Sequence, residues 1–590
     1  MFSCITTSGA SKWRGLPVTH DRGRNVSELS KSVAEAVSAA RARAGVPEVI
    51  NPDQFRNLVE LFDFCIESYR DRDAVTSLGH TLTYDELERH SAALGAYLQQ
   101  KTDLQPGDRV AIQMPNIIQY PVAMFAVLRA GFVVVNTNPL YSPREIKHQL
   151  NDAGVKALLL LANVGEAAAE VLADTPVKTV IMTEVADLHP PIKGRIINFA
   201  ARHIKKMIPD YTIPDTISFR SAIAQGRKLS LKAVKPAPDD VALLQYTGGT
   251  TGVSKGAMIS HRNLVSNILQ AGSVFDTYGF EKGPQTFIGP LPLYHIYSFT
   301  LGFIVMMQGN HTVLIPNPRD MDAFIGEMKK WKFSGMSGLN TLFVGLYSHP
   351  EFKNIDFSGL KMTLSGGMAL TSSAANTWKE ITGCEVFEGY GLTETSPVVT
   401  TNPGGANKLG SIGVPVPNTE IKIVGDDGAD QPIGERGELC VRGPQVMLGY
   451  WQRDDETRKM IDEDGWLHTG DVAIVEADGY LKIVDRIKDM ILVSGFNVYP
   501  NEIEDVVCTH PDVAECAAIG VPDEKSGEVV KIFVVGKNGP VNIDSLKAHL
   551  REQLTGYKMP KHIEERDDLP KSNVGKVLRR ELRDEELKSS

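Results

Sequence analysis

A run of small and hydroxyl-bearing residues, Tyr246–Ala257, is the densest candidate for chemistry in the chain. It follows the apolar stretch Val241–Leu244 and contains four glycines, three threonines, a serine and Lys255. Glycines let backbone N–H groups approach a ligand closely, and the hydroxyls and the lysine add donors and charge, so the run predicts a polyphosphate site. The spacing is not that of the common P-loop. A flexible surface loop is the alternative interpretation.

Asp471 and Arg486 form a second candidate pair, because a turn signal lies midway between them. Asp478-Gly479 is flanked by the strand-like runs Asp471–Ala477 and Tyr480–Arg486, which predicts a hairpin with a two-residue turn. In that register Asp471 faces Arg486, with Cα atoms within about 5.5 Å. Without a ligand, this would be a cross-strand ion pair worth about 0.2–1 kcal/mol.

Length and composition limit the kind of protein that these groups can belong to. The chain has 590 residues, 42% hydrophobic and 23% charged, which is typical of a globular protein with at least two domains. The net charge is −10 and no basic tract stands out, so we expect no nucleic-acid partner. Six scattered cysteines without a C-x-x-C pair favour a reducing cytoplasm over disulfides or a zinc site. No signal peptide or membrane span is predicted.

Apolar strands alternate with helical stretches through most of the chain. Capping boxes at Thr83 with Glu86 and at Ser142 with Glu145 predict two helix starts. The alternation predicts parallel sheets covered by helices on both faces, with strands at Val110–Gln113, Phe132–Asn136, Lys156–Leu161 and Val180–Met182. The polar stretch Lys232–Asp240 is interpreted as a connector between two such halves.

The C-terminal third has a different pattern. Short strands follow Gly437, and from Pro500 a small α+β unit is predicted, with a helix at Glu502–Val507. Further elements of this unit are predicted at Ala517–Val521, Val529–Val535 and Asp544–Leu554. The fold class is therefore α/β, with a large N-terminal domain of mainly parallel sheets, a smaller strand-rich part and a small C-terminal domain. Residues 1–50 are interpreted as a solvated extension of unknown role.

Seven motifs in order make the chain resemble the acyl- and aryl-adenylate-forming (AMP-binding) superfamily, which includes acyl-CoA synthetases, luciferases and peptide-synthetase adenylation domains. The resemblance covers Ile50 to Arg583. Its motifs are Tyr246–Ala257, Leu291–His295, Ser365–Met368, Tyr390–Thr395, Gly465–Asp471, Asp485–Asp489 and Pro570–Lys576. The tract from Asp464–Asp471 through Ser494–Glu504 resembles the fatty-acyl-CoA synthetase signature. The segments Val313–Asp320 and Gly338–Phe343, together with Gly366–Leu370, look like bacterial long-chain-fatty-acid–CoA ligases in particular.

The resemblance implies roles for individual residues. Lys576 would stabilise charge as a carboxylate attacks the α-phosphate of ATP, Thr393 would touch that phosphate, and Glu394 would hold Mg²⁺. His295 would orient the substrate carboxylate or gate a thiol tunnel, and Arg486 would contact the ribose or phosphate. Residues implied in binding ATP or coenzyme A are Tyr246, Thr247, Gly248, Gly249, Thr250, Thr251, Gly252, Lys255, Gly366, Gly367, Tyr390, Asp471, Lys488 and Gly495.

The resemblance also implies a domain movement. The N-terminal domain would span 51–486, and a mobile C-terminal domain, 487–590, would swing about a hinge near Lys488 between two catalytic poses. In that scheme Asp471 would bind the ribose hydroxyls, Tyr390 would pack on the adenine ring, and Gly495 would line the route of the pantetheine arm. Phe299 stands where some long-chain relatives carry a tryptophan that gates the acyl tunnel.

The function implied is a two-step acid–thiol ligase that converts a long-chain fatty acid, ATP and coenzyme A to acyl-CoA, AMP and pyrophosphate. The alternatives are a medium-chain or aryl acyl-CoA ligase, or a non-catalytic acyl- or nucleotide-binding protein. A cytoplasmic location with peripheral contact at the inner membrane face is chemically sensible, because long acyl chains reside there. No basic amphipathic helix that would secure this contact is evident, and a homodimer stays open.

Overall fold

The computed structural model describes residues 28–589, apart from 248–253, 281–282, 524, 538 and 573–574. Two large sheets dominate it. In the first, the strand order is Gly449–Tyr450, Lys255–Ser260, Val241–Thr247, Val133–Asn136, Arg109–Gln113, Val155–Leu161, Thr179–Thr183 and Ile217–Ser218. In the second, it is Val414–Pro415, Val398–Thr401, Val386–Gly391, Met362–Ser365, Gly335–Gly338, Thr286–Gly289, His311–Leu314, Asp73–Ser77 and His80–Thr83.

Both sheets are parallel in the middle and antiparallel at an edge, which confirms the predicted α/β class. The central strands are buried on both faces, as in Val133–Asn136, because helices cover them. The helices of the large domain are Leu58–Tyr69, Tyr84–Lys101, Gln119–Arg129, Pro143–Asp152, Gly165–Ala169, Pro191–Phe199, Phe219–Gly226, His261–Phe275, Ile296–Met307, Met321–Met328, Asn340–Ser348, Ser372–Thr382 and Asp454–Met460. Both predicted capping boxes are confirmed.

The predicted connector Lys232–Asp240 does not separate two halves. The strand that follows it, Val241–Thr247, returns to pair in parallel with Val133–Asn136 of the first sheet. The earlier strand Asp73–Ser77 instead pairs with His311–Leu314 of the second sheet. The two sheets therefore exchange strands, which local composition does not reveal.

A four-stranded antiparallel sheet forms the strand-rich part, with strands Glu420–Val424, Gly437–Arg442, Leu467–Val475 and Leu481–Arg486. The C-terminal unit pairs Phe496–Val498, Ile491–Val493, Gly527–Gly536, Val513–Asp523 and His562–Glu565, with helices Pro500–Val507, Ile543–Gln553 and Arg579–Ser589. The predicted elements of this unit are thus confirmed. A short 3₁₀ turn, Ile487–Asp489, joins it to the four-stranded sheet.

The prediction of a solvated N-terminal extension is wrong for the part that the structure describes. Residues Glu28–Arg43 form a helix whose Val33 and Val37 are buried in the core of the four-stranded sheet. Buried Arg41 donates hydrogen bonds to the backbone oxygens of Pro415, Val416 and Thr419. Residues 1–27 lie outside the described range.

The absence of a basic amphipathic helix is a second incorrect expectation. Pro191–Phe199 is a helix whose large apolar side chains are exposed beside basic residues. The sequence pattern hid it because Gly194 is the only fully buried residue of this helix, so no buried apolar stripe marks it. Among the helices that the structure describes, none has the length and apolar character needed to cross a membrane.

Candidate active site

The carboxyl ends of parallel strands from both large sheets open into one cavity of about 1710 Å³. This edge is where open α/β sheets bind ligands, because loops and helix N-termini converge there. The four-stranded sheet and the C-terminal unit complete the walls. Thirteen predicted site residues line this cavity: Tyr246, Thr247, Lys255, His295, Gly366, Gly367, Tyr390, Thr393, Glu394, Asp471, Arg486, Lys488 and Lys576.

The candidate polyphosphate loop is described at its two ends. Thr247 and Lys255 are paired across the antiparallel strands that flank the loop. The Lys255 ammonium forms an ion pair with Glu456 and lies 5.2 Å from the ring centre of Tyr450. The predicted residues Gly248, Gly249, Thr250, Thr251 and Gly252 lie outside the described residues.

Asp471 and Arg486 are Cα partners across two antiparallel strands, as predicted. The Arg486 Nε lies 3.1 Å from Asp471 Oδ1, and the Tyr390 hydroxyl donates to Asp471 Oδ2 at 2.5 Å. Burial and the neighbouring Asp471 charge raise the pKa of Tyr390, so its hydroxyl stays protonated as a donor. The arrangement presents one buried, oriented carboxylate to the cavity.

The predicted two-residue turn of this hairpin is wrong. Glu476 N–H donates to Tyr480 O, so the loop has three residues, and Gly479 takes a φ of +83°. Three-residue loops commonly need such a left-handed residue at this position. A register shift between Val472 and Ala473 compensates for the extra loop residue and restores the Asp471–Arg486 pairing.

Glu394 lies in a 3₁₀ turn, Thr393–Thr395, directly after a central strand of the second sheet. Its carboxylate is buried, and its Oε1 accepts a hydrogen bond of 2.6 Å from the Tyr450 hydroxyl. Burial raises the pKa of Glu394, while Arg486 and Lys255 act in the opposite direction. A single carboxylate that lines the cavity is compatible with Mg²⁺, which takes one or two carboxylates together with phosphate oxygens.

Lys576 enters the cavity on a loop of the C-terminal unit. The loop is closed by hydrogen bonds from Ser572 N to Lys576 O and from Gly575 N to Ser572 O. Gly575 has a φ of +81°, and a Cβ there would lie 2.8 Å from Thr341 Oγ1, so the loop packs closely on the large domain. Burial, then the charge of Arg486, lowers the pKa of Lys576 to about 7.

His295 caps the helix Ile296–Met307, and its Nδ1 accepts a hydrogen bond from the Tyr297 N–H. Burial, with a smaller effect of Lys576, lowers the pKa of His295 to about 4, so the imidazole is neutral near pH 7. A neutral ring can donate or accept one hydrogen bond but supplies no charge. This favours an orienting role over an electrostatic one.

Lys488 lines the cavity beside Arg486, and burial lowers its pKa to about 8. Two other predicted residues lie elsewhere. Gly495 is exposed in the turn between Ile491–Val493 and Phe496–Val498 and does not line the cavity. Phe299, the predicted gate, is 2% exposed and packs against Phe303 behind the cavity wall.

Sequence reasoning missed several residues that hold the site together. Asp152 accepts from the Tyr246 hydroxyl at 2.7 Å, and Tyr450 positions Glu394. Glu438 accepts from the Gly470 N–H at 2.9 Å and from His468, so it fixes the backbone next to Asp471. These partners come from elements far apart in sequence, so no local spacing could have identified them.

Comparison with models of known protein families matches most of the sequence to one family. The AMP-binding enzyme model matches residues 62–451, and the model of the AMP-binding enzyme C-terminal domain matches residues 502–576. The chain belongs to the AMP-binding enzyme family. The two matches fall on the large domain with most of the cavity and on the unit that carries Lys576.

Curated relatives of this AMP-binding enzyme match along most of its length. A long-chain-fatty-acid–CoA ligase of Escherichia coli O6:H1 is 50% identical over 549 residues, covering 92% of this chain and 97% of the relative. The Haemophilus influenzae protein of the same name is 47% identical over 546 residues, covering 92% and 97%. The one from Bacillus subtilis is 37% identical over 530 residues, covering 88% and 93%.

Solved structures share the fold of this AMP-binding enzyme. An anthranilate CoA ligase in complex with anthranoyl-AMP has a TM-score of 0.81 at 23% identity, covering 92% of this chain and 99% of that one. ATP-bound MatB from Rhodopseudomonas palustris has a TM-score of 0.75 at 28% identity, covering 90% and 99%.

Proposed function

We propose that this enzyme joins a long-chain fatty acid to coenzyme A in two steps. The fatty-acid carboxylate first attacks the α-phosphorus of ATP, forming an acyl-adenylate and releasing pyrophosphate. The thiol sulfur of coenzyme A then attacks the acyl carbon, loses its proton and expels AMP. The main support for this proposal is that one cavity is lined by Lys576, Glu394 and the Asp471–Arg486 pair. Splitting the reaction turns a poor leaving group into a good one.

The nucleotide half of the proposal rests on residues that line the cavity next to Tyr390. Asp471, held by Tyr390 and Arg486, accepts from the ribose hydroxyls. Gly366 and Gly367 border a slot next to Tyr390, where a flat adenine ring fits against backbone. The loop between Tyr246 and Lys255 binds the polyphosphate.

Mg²⁺ fits the same part of the cavity. Glu394 would hold it, with Thr393 directed at the α-phosphate. A bound Mg²⁺ would neutralise phosphate charge as pyrophosphate departs. Tyr450 fixes the orientation of the Glu394 carboxylate through its hydroxyl.

The acyl half rests on an apolar wall of the cavity. Ala271, Val274 and Phe275 contribute to it from the helix His261–Phe275, and Leu301 and Ile304 contribute from the helix Ile296–Met307. An aliphatic chain gains about 0.8 kcal/mol for each CH₂ group that such a wall buries. This wall favours a fatty acid over a polar acid. A medium-chain or aryl acid remains the second candidate, because these apolar residues do not determine which chain length the cavity accepts.

We infer that residues 487–590 pivot about Lys488 between the two steps. In the pose described here Lys576 lies in the cavity, which suits adenylate formation. Gly495 is exposed in this pose, so a rotation of the unit would be needed to bring it to a pantetheine route. A homodimer and a cytoplasmic location with contact at the inner membrane face are further parts of the proposal.

The role of Lys576 separates the two steps experimentally. Lys576→Ala should lower acyl-adenylate formation by about 10²–10³-fold, because the cation where negative charge develops is lost. It should leave acyl-CoA formation from premade acyl-adenylate unchanged. The matched control is Lys571→Ala on the same loop, since Lys571 does not line the cavity and its charge is already paired with Glu515 and Asp568. Equal loss of both half-reactions in Lys576→Ala would refute the assigned role.

A further inference from the structure

A helix on the surface of the large domain presents its large apolar side chains to solvent. It runs over Pro191–Phe199 and continues into the turn Ala200–Ile204. The exposed fractions are 78% for Ile192, 64% for Ile196, 60% for Phe199, 71% for Ile204 and 50% for Met207. We call these residues the apolar face. Contiguous exposed side chains of this size mark an interaction surface.

The opposite side of this helix is held on the protein by small buried residues and by Asn198, whose side chain accepts from the Ala186 N–H and donates to Asp187. Gly194 and Ala201 are buried, and a Cβ at Gly194 would lie 2.6 Å from the backbone oxygen of Ala186. Ordinary surface helices turn their apolar stripe toward the core. Here the pattern is inverted, because close backbone packing fixes the helix while Ile192, Ile196 and Phe199 share the outer face at helical spacing.

Basic side chains surround the apolar face. Residues 188–209 contain five Lys or Arg and no Asp or Glu, in a chain whose net charge is −10. Arg202 is paired with Glu184 at 2.7 Å. The other four are Lys193, Arg195, Lys205 and Lys206, and none of these forms an ion pair with the residues that the structure describes. The Lys193 Nζ donates a hydrogen bond to Gly79 O at 3.0 Å. The surface is therefore locally cationic on an acidic protein.

We infer that this surface docks on an anionic phospholipid bilayer. The apolar face enters the boundary between headgroups and acyl chains, and the basic side chains beside it contact lipid phosphates, as in interfacial helices with a basic rim. The inference rests on the proposed function for its purpose, since the acyl substrate resides in such bilayers. The docking itself depends on the residues of this surface alone.

The test is co-sedimentation of the full chain with vesicles of phosphatidylglycerol and phosphatidylcholine, and with vesicles of phosphatidylcholine alone. We expect binding to the mixed vesicles that weakens as salt rises, and little binding to phosphatidylcholine alone. The double variant Ile196→Asn, Phe199→Asn should bind about 10-fold more weakly. The double variant Lys193→Glu, Arg195→Glu should bind at least about 30-fold more weakly.

Matched controls alter equally exposed residues elsewhere. Val49→Asn with Leu587→Asn changes side chains that are 67% and 65% exposed, and Lys101→Glu with Lys353→Glu reverses two exposed cations. Both control proteins should bind vesicles like the unaltered protein. Equal binding of the surface variants, equal binding to both vesicle types, or no binding at all would overturn the inference. A changed sedimentation coefficient without vesicle binding would overturn it in favour of contact between copies of this chain.

Activity assays without vesicles keep this inference separate from the proposed function. The surface variants should turn over octanoate at the unaltered rate, because their residues do not line the cavity. They should lose rate only when palmitate is supplied within vesicles. A protein that binds mixed vesicles but activates no acid would refute the proposed function and leave the docking intact.

Discussion

Asp471 faces Arg486 across two strands and receives a hydrogen bond from Tyr390, so its charge is already oriented before a ligand binds. The same carboxylate would otherwise sample several rotamers and lose that freedom on binding. An oriented acceptor is what recognition of a ribose requires, because two vicinal hydroxyls can donate to it in one geometry.

Asp471→Asn should raise the KM for ATP about 10- to 100-fold, because a charged hydrogen-bond acceptor becomes a neutral amide. The kcat at saturating ATP should change less, since the reacting atoms are untouched. Asp478→Asn in the turn of the same hairpin is the control, because its carboxylate pairs with Lys408 on the surface. Steady-state kinetics with varied ATP measure both variants, and an unchanged KM in Asp471→Asn would contradict the ribose contact.

Residue pairs on one hairpin could be predicted from the sequence, whereas those joining distant elements could not. Turn chemistry was enough to place Asp471 opposite Arg486, although the turn has three residues and a register shift corrects the count. The hydrogen bond from Tyr450 to Glu394 joins separate sheets, and no spacing signals it. Burial of Phe299 behind the cavity wall likewise depends on helix rotation, which a single aromatic position does not fix.

At the scale of elements, the helix Glu28–Arg43 and the Asp471–Arg486 hairpin support each other. Gly479 in the hairpin loop contacts this helix so closely that a Cβ would lie 2.2 Å from Ala36 O. Gly428 has a similar φ, +79° against +83°, but a Cβ there meets open space. Substituting either glycine strains the backbone in a similar way, but only a substitution at Gly479 also causes a steric clash.

Gly479→Ala should lower the free energy of unfolding by about 1–3 kcal/mol more than Gly428→Ala, because only the first substitution displaces the helix. Both substitutions share the cost of an L-residue at positive φ. Thermal unfolding monitored by circular dichroism compares the two. Equal losses of stability would show that the helix contact does not constrain the hairpin.

The N-terminal helix is held by one buried cation. Arg41→Ala should destabilise the protein by about 2–4 kcal/mol, because three buried backbone oxygens lose their donor. Lys31→Ala on the exposed side of the same helix should change stability by no more than about 0.5 kcal/mol. Thermal midpoints of the two variants test this, and a near-neutral Arg41→Ala would mean that the helix is dispensable for the fold.

Most strands and capped helices were predictable, because apolar runs and capping boxes are local signals. The exchange of strands between the two sheets was not, since it is decided by tertiary pairing. The inverted helix Pro191–Phe199 was missed for a related reason. Gly194 is its only fully buried residue, and its large apolar side chains Ile192, Ile196 and Phe199 are exposed, so hydrophobic periodicity indicates the wrong side.

At the scale of the whole molecule, the proposed movement of the C-terminal unit should depend on pH through Lys576. Its pKa is about 7 in the inserted pose, against 10.5 for a solvated lysine. Between about pH 7 and 10.5, Lys576 therefore carries a proton when it is solvated and has lost it when it is inserted in the cavity. Without nucleotide, rising pH should favour the inserted pose from about pH 7 to 10.5, and below about pH 7 the balance should not depend on this group.

Fluorescence energy transfer between labels on the two domains measures this balance in the nucleotide-free protein. The pH dependence between about pH 7 and 8 should disappear in Lys576→Met, which keeps the length of the side chain without the charge. Above about pH 8 the buried Lys488 contributes as well. Bound ATP should also suppress it, because phosphate charge restores the protonated lysine. A dependence that persists unchanged in Lys576→Met would assign it to another group.

The central claim is that one cavity activates an acyl chain with ATP and passes it to coenzyme A. Pyrophosphate release with MgATP tests it most directly, with palmitate, octanoate, acetate or an amino-acid mixture, each with and without coenzyme A. The account predicts turnover with palmitate that rises sharply with coenzyme A and leaves AMP. No pyrophosphate release with any of these acids, together with no acyl-CoA formation from premade acyl-adenylate and coenzyme A, would contradict it.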